Sequence, residues 1–234
     1  MISRAPLGGV WAVVPVKRFD QAKQRLSEVL DGAGRAALAA AMLGDVLEQL
    51  SGTAGLTGVL VVTSDMEATV IAGGFGAAVL TDPADSGVND AVAHGVSRLG
   101  PLGASSAIIT PSDIPFVTSE ELSSVLAALE QTAVVLAPAT RDGGTNILGL
   151  SPPDVMAPAF GQDSFARHSA VAHDLRPAVI LLEGAGRDID VPADLARGPA
   201  FAKSGSGART VACLRGLGHT TSFAPPRFFE ETPP

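Results

Sequence analysis

Lys17, Arg18, Lys23 and Arg25 fall within nine positions of one loop, in a chain whose 24 Asp and Glu outnumber its 16 Lys and Arg. Concentrated positive charge in an acidic protein suits a polyphosphate, because Lys acts as a point charge and Arg can fork two oxygens. A solvated basic turn would carry the same residues; the charge asymmetry and the position directly after an apolar run favour phosphate binding. Asp113, in Thr110-Pro111-Ser112-Asp113-Ile114-Pro115, is aimed rigidly by its prolines, either as a metal ligand or as a turn-forming acid. Asp188 and Asp190, in Arg187-Asp188-Ile189-Asp190-Val191-Pro192, stand at i and i+2 and point to one side of an extended segment. With Asp113 they make a hard oxygen set suited to Mg²⁺, which keeps waters and phosphate oxygens as its other ligands. Each acid alone reads as a loop residue; two acidic loops opposite one basic loop read together as a metal-assisted phosphate site.

Three further segments carry polar chemistry. In Asp142-Gly143-Gly144-Thr145-Asn146 the paired glycines let backbone N–H groups approach an anion, or they turn a hairpin into a strand over 147–150. Phe160-Gly161-Gln162-Asp163-Ser164-Phe165-Ala166-Arg167-His168 opens a helix whose N-terminus could receive an anion, or which Asp163 caps in the ordinary way. His168 is expected to be a structural hydrogen-bonding residue. Asn89, after Ser86-Gly87-Val88, either caps the helix that follows or contacts a nucleotide base or ribose.

These loops need elements to aim them. Val10–Val14, Val59–Val62, Ala107–Ile109 and Val134–Ala137 are short runs apolar on both faces, as strands buried between helices are. Between them lie helical patterns. Leu38, Met42, Leu43, Val46, Leu47 and Leu50 share one stripe, and Leu122, Val125, Leu126 and Leu129 form another. Thr118 or Ser119 can cap the second, with Glu120 and Glu121 in its first turn. Alternating strands and helices predict a doubly wound α/β fold, in which ligands bind at the carboxyl ends of the strands. The basic loop and the Asp113 loop each follow such a strand. Residues 1–200 read as one domain. Residues 201–234, punctuated by Gly and Pro, read as a C-terminal tail, extended or partly disordered.

Composition removes other classes. Hydrophobic residues make up 46% of the 234 and charged residues 17%, enough apolar material for a sizeable core. A pI of about 4.9 argues against a nucleic-acid groove, whose affinity rests on phosphate neutralisation. The single Cys213 excludes an intramolecular disulfide. No uncharged apolar run reaches the roughly 18 residues of a membrane span. Val10–Val16 reads as a strand and not as a secretory segment, so the cytoplasm is the expected location.

Taken in order, the Pro15-Val16-Lys17…Ala22-Lys23-Gln24-Arg25-Leu26 block, Gly143-Gly144-Thr145-Asn146, Phe160-Gly161…Ser164…His168 and Asp188-Ile189-Asp190-Val191-Pro192 resemble the CofC/FbiD-like guanylyltransferases of coenzyme F420 biosynthesis over roughly residues 10–195. The resemblance implies a nucleotidyltransferase fold related to glycosyltransferase A, with a mixed, mostly parallel sheet and helices on both faces. It implies transfer of GMP from GTP, with Mg²⁺, to 2-phospholactate, phosphoenolpyruvate or 3-phosphoglycerate, with release of pyrophosphate. It would make Asp113, Asp188 and Asp190 the Mg²⁺ ligands. Lys17, Lys23 and Arg25 would face the nucleotide phosphates, and Asn89 would be nucleotide-side. Thr145, Gly161 and Ser164 would hold the acceptor acid. The next transferase of the pathway is an implied partner. The short Asp82–Val88 segment and the Trp11–Lys17 opening look more like the proteobacterial branch and favour 3-phosphoglycerate. Nucleotidyltransferases for sugar phosphates or molybdopterin usually carry a glycine-rich first loop, whereas Val14-Pro15-Val16-Lys17-Arg18 has no glycine. A non-catalytic nucleotide-binding module of the same fold is disfavoured by the presence of all three acids.

Overall fold

The computed structural model describes residues 9–82, 87–100, 103–197, 200, 202 and 205–219. The segment 83–86, part of the short stretch noted above, and the tail beyond 219 lie outside the described residues. Seven strands form one sheet: β1 Val10–Val16, β2 Leu56–Thr63, β3 Ala78–Thr81, β4 Ser106–Ile109, β5 Val134–Pro138, β6 Thr145–Leu150 and β7 Ala178–Val179. Their order is β3-β2-β1-β4-β6-β5-β7. All pairs are parallel except those of β6, which runs antiparallel to both β4 and β5. The expected α/β layering is therefore present, and Gly143-Gly144 does turn the β5–β6 hairpin.

The helices are α1 Gly32–Gly52, α2 Met66–Gly74, α3 Val88–Leu99, α4 Ser119–Leu129, α5 Ser164–Val171, α6 Pro192–Arg197 and α7 Ala208–Gly216. Leu43, Val46 and Leu47 of α1 and Leu122 and Val125 of α4 cover one face of the sheet, against Val14, Val61 and Ile108. Val92 and Leu99 of α3 cover the other, against Val13, Leu60 and Ile109. Burial on both faces is why these strands read as continuous apolar runs rather than as alternation. Each such Leu or Val contributes about 1.5–3 kcal/mol by leaving water. Thr118 starts α4 with a capping box: its hydroxyl accepts from Glu121 N–H while the Glu121 carboxylate accepts from Thr118 N–H. Among the described residues no helix is long and apolar enough to cross a membrane.

The strand order reverses at β1, with β2 and β3 on one side and β4 on the other. The carboxyl ends of β1 and β4 thus flank a crevice, the usual ligand position of such sheets.

The expected extended tail is corrected over residues 205–219. There the chain forms α7, which lies on α1 and buries Leu214 against Leu38 and Met42. The buried carboxylate of Asp45, on α1, accepts from the N–H groups of Arg209 (3.0 Å) and Thr210 (2.8 Å). The helix escaped the sequence reading because its cap comes from α1 and not from a neighbouring residue, and because glycines flank it on both sides. Asp45→Ala leaves two amides without their charged acceptor. We expect a loss of about 3 kcal/mol and early proteolytic release of the segment after residue 204. An unchanged urea midpoint and cleavage pattern would remove Asp45 from this role.

Candidate active site

After β1 the chain passes through two single 3-10 turns, Phe19–Gln21 and Gln24–Leu26. Phe19 and Leu26 are buried and fasten the loop to the core. Phe19 N–H donates to Asp65 Oδ2 at 2.8 Å. Between the turns Lys23 adopts a left-handed backbone, φ +54°, uncommon for a residue with a side chain. Its ammonium, almost wholly enclosed, lies 2.5 Å from Asp113 Oδ2 and 3.6 Å from Asp190 Oδ1. Arg25 Nη1 meets Asp190 Oδ2 at 2.9 Å. Lys17 lines the same cleft. Arg18 instead forms a surface pair with Asp20.

The acidic side is built by two loops tied together. Asp113 follows β4, and its carbonyl accepts from Ile189 N–H at 3.0 Å. The loop that carries Asp188 and Asp190 is held from three elements. Glu121 of α4 accepts from Gly184 N–H (2.7 Å) and Ala185 N–H (3.0 Å). Asn146 of β6 donates to Ala185 O at 2.8 Å. Thr140 N–H donates to Gly186 O at 2.8 Å. Only glycine fits at 184, where a Cβ would collide with the Phe116 carbonyl. Arg141 then organises the acids: Nη2 reaches Asp188 at 2.6 Å and Nη1 reaches Asp194 at 2.8 Å. Asp194 in turn accepts from the N–H groups of Asp190 and Val191. Burial and the nearby Asp113 charge push the Asp188 carboxyl up to about 6, against the pull of Arg141.

Lys17, Lys23, Arg25, Asp113 and Asp190 therefore share one cleft of about 360 Å³ at the crevice between β1 and β4. Asp188 stands behind it on Arg141. Among the described residues no group of three His, Cys, Asp or Glu side chains is gathered tightly enough to hold a metal ion as it stands. The three expected ligands are spread over Lys23, Arg25 and Arg141. The donor chemistry still fits a hard divalent cation. Asp113, Asp188 and Asp190 present carboxylate oxygens, the hard donors that such a cation takes, at or beside the cleft, each held by Lys23, Arg25 or Arg141.

Asn89, Thr145, Gly161 and Ser164 do not line that cleft. They come together instead around the segment that leads into α5. Ser164 Oγ accepts from Thr145 N–H at 2.8 Å, and Thr145 Oγ1 lies 2.9 Å from His168 Nδ1. His168 Nε2 accepts from Ala159 N–H at 2.9 Å, which assigns the proton to Nδ1 and makes Thr145 Oγ1 its acceptor. His168 is fully buried, and burial with the neighbouring Arg167 charge pushes it down to about 4. It is a structural hydrogen-bonding residue, as its sequence context suggested. Two alternatives are corrected. Asn89 does not cap α3, whose N-cap is Gly87; its amide brackets Phe160, accepting from N–H (2.7 Å) and donating to O (3.1 Å). Asp163 sits at the N-cap of α5 with φ +53° and makes no side-chain cap bond.

Sequence reasoning missed Glu121, Arg141 and Asp194 as members of the site. Arg141 adjoins the Asp142-Gly143-Gly144 turn, and its charge was the available signal. Asp194 also accepts from residues 190 and 191 close by, whereas Glu121 reaches the acidic loop only through contacts distant in sequence.

A mostly parallel sheet whose β1 and β4 loops bring clustered cations against carboxylates is an arrangement suited to phosphate transfer. The sequence matches the family described as Guanylyl transferase CofC like over residues 10–227. It is 42% identical to a phosphoenolpyruvate guanylyltransferase of Conexibacter woesei over 79% of this chain and 85% of that one. It is 34% identical to a 3-phospho-D-glycerate guanylyltransferase of Phenylobacterium zucineum over 80% of this chain and 90% of that one. Its fold is similar to that of a nucleotide-diphospho-sugar transferase from Desulfovibrio desulfuricans (TM-score 0.70, 19% identity, 89% of this chain and 95% of that one). It is also similar to 4-diphosphocytidyl-2C-methyl-D-erythritol synthase from Anaerococcus prevotii (TM-score 0.57, 12% identity, 82% and 95%). The chain belongs to the CofC-like guanylyl transferase family and is a guanylyltransferase with a nucleotidyltransferase fold.

Proposed function

We propose that the chain transfers GMP from GTP to the phosphate of a three-carbon phospho acid, releasing pyrophosphate, as a cytoplasmic step of coenzyme F420 biosynthesis. The observation that supports it best is the single cleft in which Lys17, Lys23 and Arg25 face Asp113 and Asp190. Phosphoenolpyruvate is the first acceptor and 3-phosphoglycerate the second, which reorders the preference drawn from the sequence; 2-phospholactate comes third. Relatives named for phosphoenolpyruvate reach 42% and 38% identity, against 34% for the one named for 3-phosphoglycerate.

The acceptor's phosphate oxygen attacks the α-phosphorus of GTP in line. A bond from that oxygen to phosphorus forms, the bond to the bridging oxygen breaks, and pyrophosphate leaves. A phosphate monoester has its second pKa near ~6 and is largely dianionic at neutral pH, so no general base is required. The obstacle is the approach of two anions. Lys17, Lys23 and Arg25 lower it by neutralising and positioning the phosphates. Asp113, Asp188 and Asp190 would hold Mg²⁺, which when bound supplies further charge neutralisation and polarises phosphoryl oxygens. Gly161, exposed with φ +115°, offers backbone to the acceptor acid, and Thr145 and Ser164 fix the segment that presents it. Asn89 supports the same segment through Phe160.

Mass spectrometry of reactions holding the protein, Mg²⁺, GTP and one acceptor each tests this, with pyrophosphate followed in parallel. A guanylated product with one acceptor is expected. Neither product nor pyrophosphate from folded protein that binds GTP would refute the reaction. Lys23→Ala should raise the GTP concentration needed for half-maximal turnover by about tenfold or more. An unchanged GTP dependence would take Lys23 out of the phosphate site.

A further inference from the structure

The cleft has two unlike ends. Asp113 and Asp190 stand at and beyond the carboxyl end of β4, and the basic loop follows β1. Another part of the wall comes from the end of β3 and the start of α3, with Asp82, Gly87, Val88 and Ala91, and Ala39 and Met42 of α1 line the cleft as well. In the order β3-β2-β1-β4 these parts follow one another across the mouth. Neighbouring strands are about 4.8 Å apart, so the end of β3 lies roughly 10 Å from the strand that carries the basic loop. A nucleotide whose phosphates rest on Lys17, Lys23 and Arg25 has room to extend its base toward β3, away from the carboxylates of Asp113 and Asp190.

Among the described residues of that wall, Gly87, Val88 and Ala91 are apolar, a surface for the flat face of a base, and Asp82 is the carboxylate. Asp82 is 8% exposed, and its backbone N–H is fixed on Thr63 O at 3.1 Å. It interacts within the fold, yet an ionised carboxylate has about four lone-pair sites and retains acceptor capacity. A carboxylate only accepts. Guanine carries two adjacent donors on its pairing edge, N1–H and the 2-amino group. Adenine and cytosine place an acceptor beside their donor, and uracil places its single N–H between two carbonyls.

We propose that Asp82 reads the base in this cleft: its carboxylate accepts from guanine N1–H and the 2-amino group and so selects GTP among the nucleoside triphosphates. The assignment rests on the guanylyl-transfer reading of the cleft given above.

Titration calorimetry of the full chain with Mg²⁺ tests it. The probes are GTP, inosine triphosphate (which lacks only the 2-amino group), xanthosine triphosphate (which has a carbonyl there) and ATP. The unmodified chain should bind GTP about tenfold or more tighter than inosine triphosphate, and tighter still than the other two. Asp82→Asn turns one acceptor oxygen into a donor that matches the xanthine carbonyl. It should move the GTP-to-xanthosine-triphosphate ratio of dissociation constants by about ten- to a hundredfold toward xanthosine triphosphate. Thermal melting checks that the variant folds. If it does not, the comparison of GTP with inosine triphosphate in the unmodified chain decides alone. Equal binding of those two, or an unmoved ratio in folded Asp82→Asn, overturns Asp82 as the base reader and leaves the transfer reading in place. An unmodified chain that binds no triphosphate overturns both.

Discussion

Asp113→Asn should lower guanylyl transfer by about 10²–10³-fold, the usual cost of removing one charge-stabilising group from a preorganised site. The amide keeps the shape of the carboxylate, so the change acts on charge. Asp113 is the acid closest to Lys23, at 2.5 Å, and it stands at the end of β4 where the cleft opens. The fold should survive, because Asp113 joins the second acidic loop through its backbone carbonyl and not through its side chain. Lys23 is enclosed, but Asp190 stays within 3.6 Å of its ammonium and leaves it a charged partner. Asp190→Asn, which touches both Lys23 and Arg25, should behave alike. Turnover of single-turnover reactions, read beside circular dichroism and melting, separates the two effects. Near-normal transfer in both variants would end the assignment of these acids to the reacting phosphates.

His168→Gln should destabilise the fold at neutral pH by about 2–3 kcal/mol, through weakened bonds to Thr145 and Ala159 and poorer packing against Phe160. The deficit should shrink in acid. His168 stays neutral in the folded chain down to about 4, whereas its ordinary value is 6.5. Between those values the unfolded chain binds the extra proton, so the stability His168 lends falls as pH falls through that window, by at most about 1.4 kcal/mol per pH unit. Asp188 works the other way. Raised to about 6 from 3.8, it favours the folded chain below its ordinary value and loses that advantage as pH rises toward 6. The two slopes oppose each other between about 4 and 6, so the unmodified chain alone would show little. Urea unfolding of the chain and of His168→Gln at matched pH isolates the histidine. A gap between them that stays constant from pH 7 to pH 4.5 would mean that His168 is not held neutral by its burial.

The strands and the two main helices were legible because burial on both faces and on one stripe leaves a local pattern. Val10–Val14 and the Leu38–Leu50 stripe are instances, and Thr118 announced its helix through residues three apart. The basic and acidic loops were legible for the same reason: strand ends in such a sheet deliver loops to one crevice. What the sequence hid was every bond between distant segments. Nothing near Glu121 says that it braces residues 184 and 185, and nothing near Asn146 says that it holds Ala185 and not a ligand. Asn89 and Asp163 looked like caps because their types suit that role, yet Gly87 holds the first N-cap, and Asp163 holds the second with a left-handed backbone and no side-chain cap bond. The short α7 was hidden by its glycines and by a cap that sits on α1.

The docking of α7 also fixes where this chain can be handled. Leu214, Val211 and Leu217 roof over Leu30, Leu38 and Met42, and the same cluster reaches Phe116 and Ile189, next to the acidic loops. A tag or fusion partner inserted ahead of α7 would break this packing, and a version shortened at residue 200 for crystallisation would expose a greasy strip along α1 and clump.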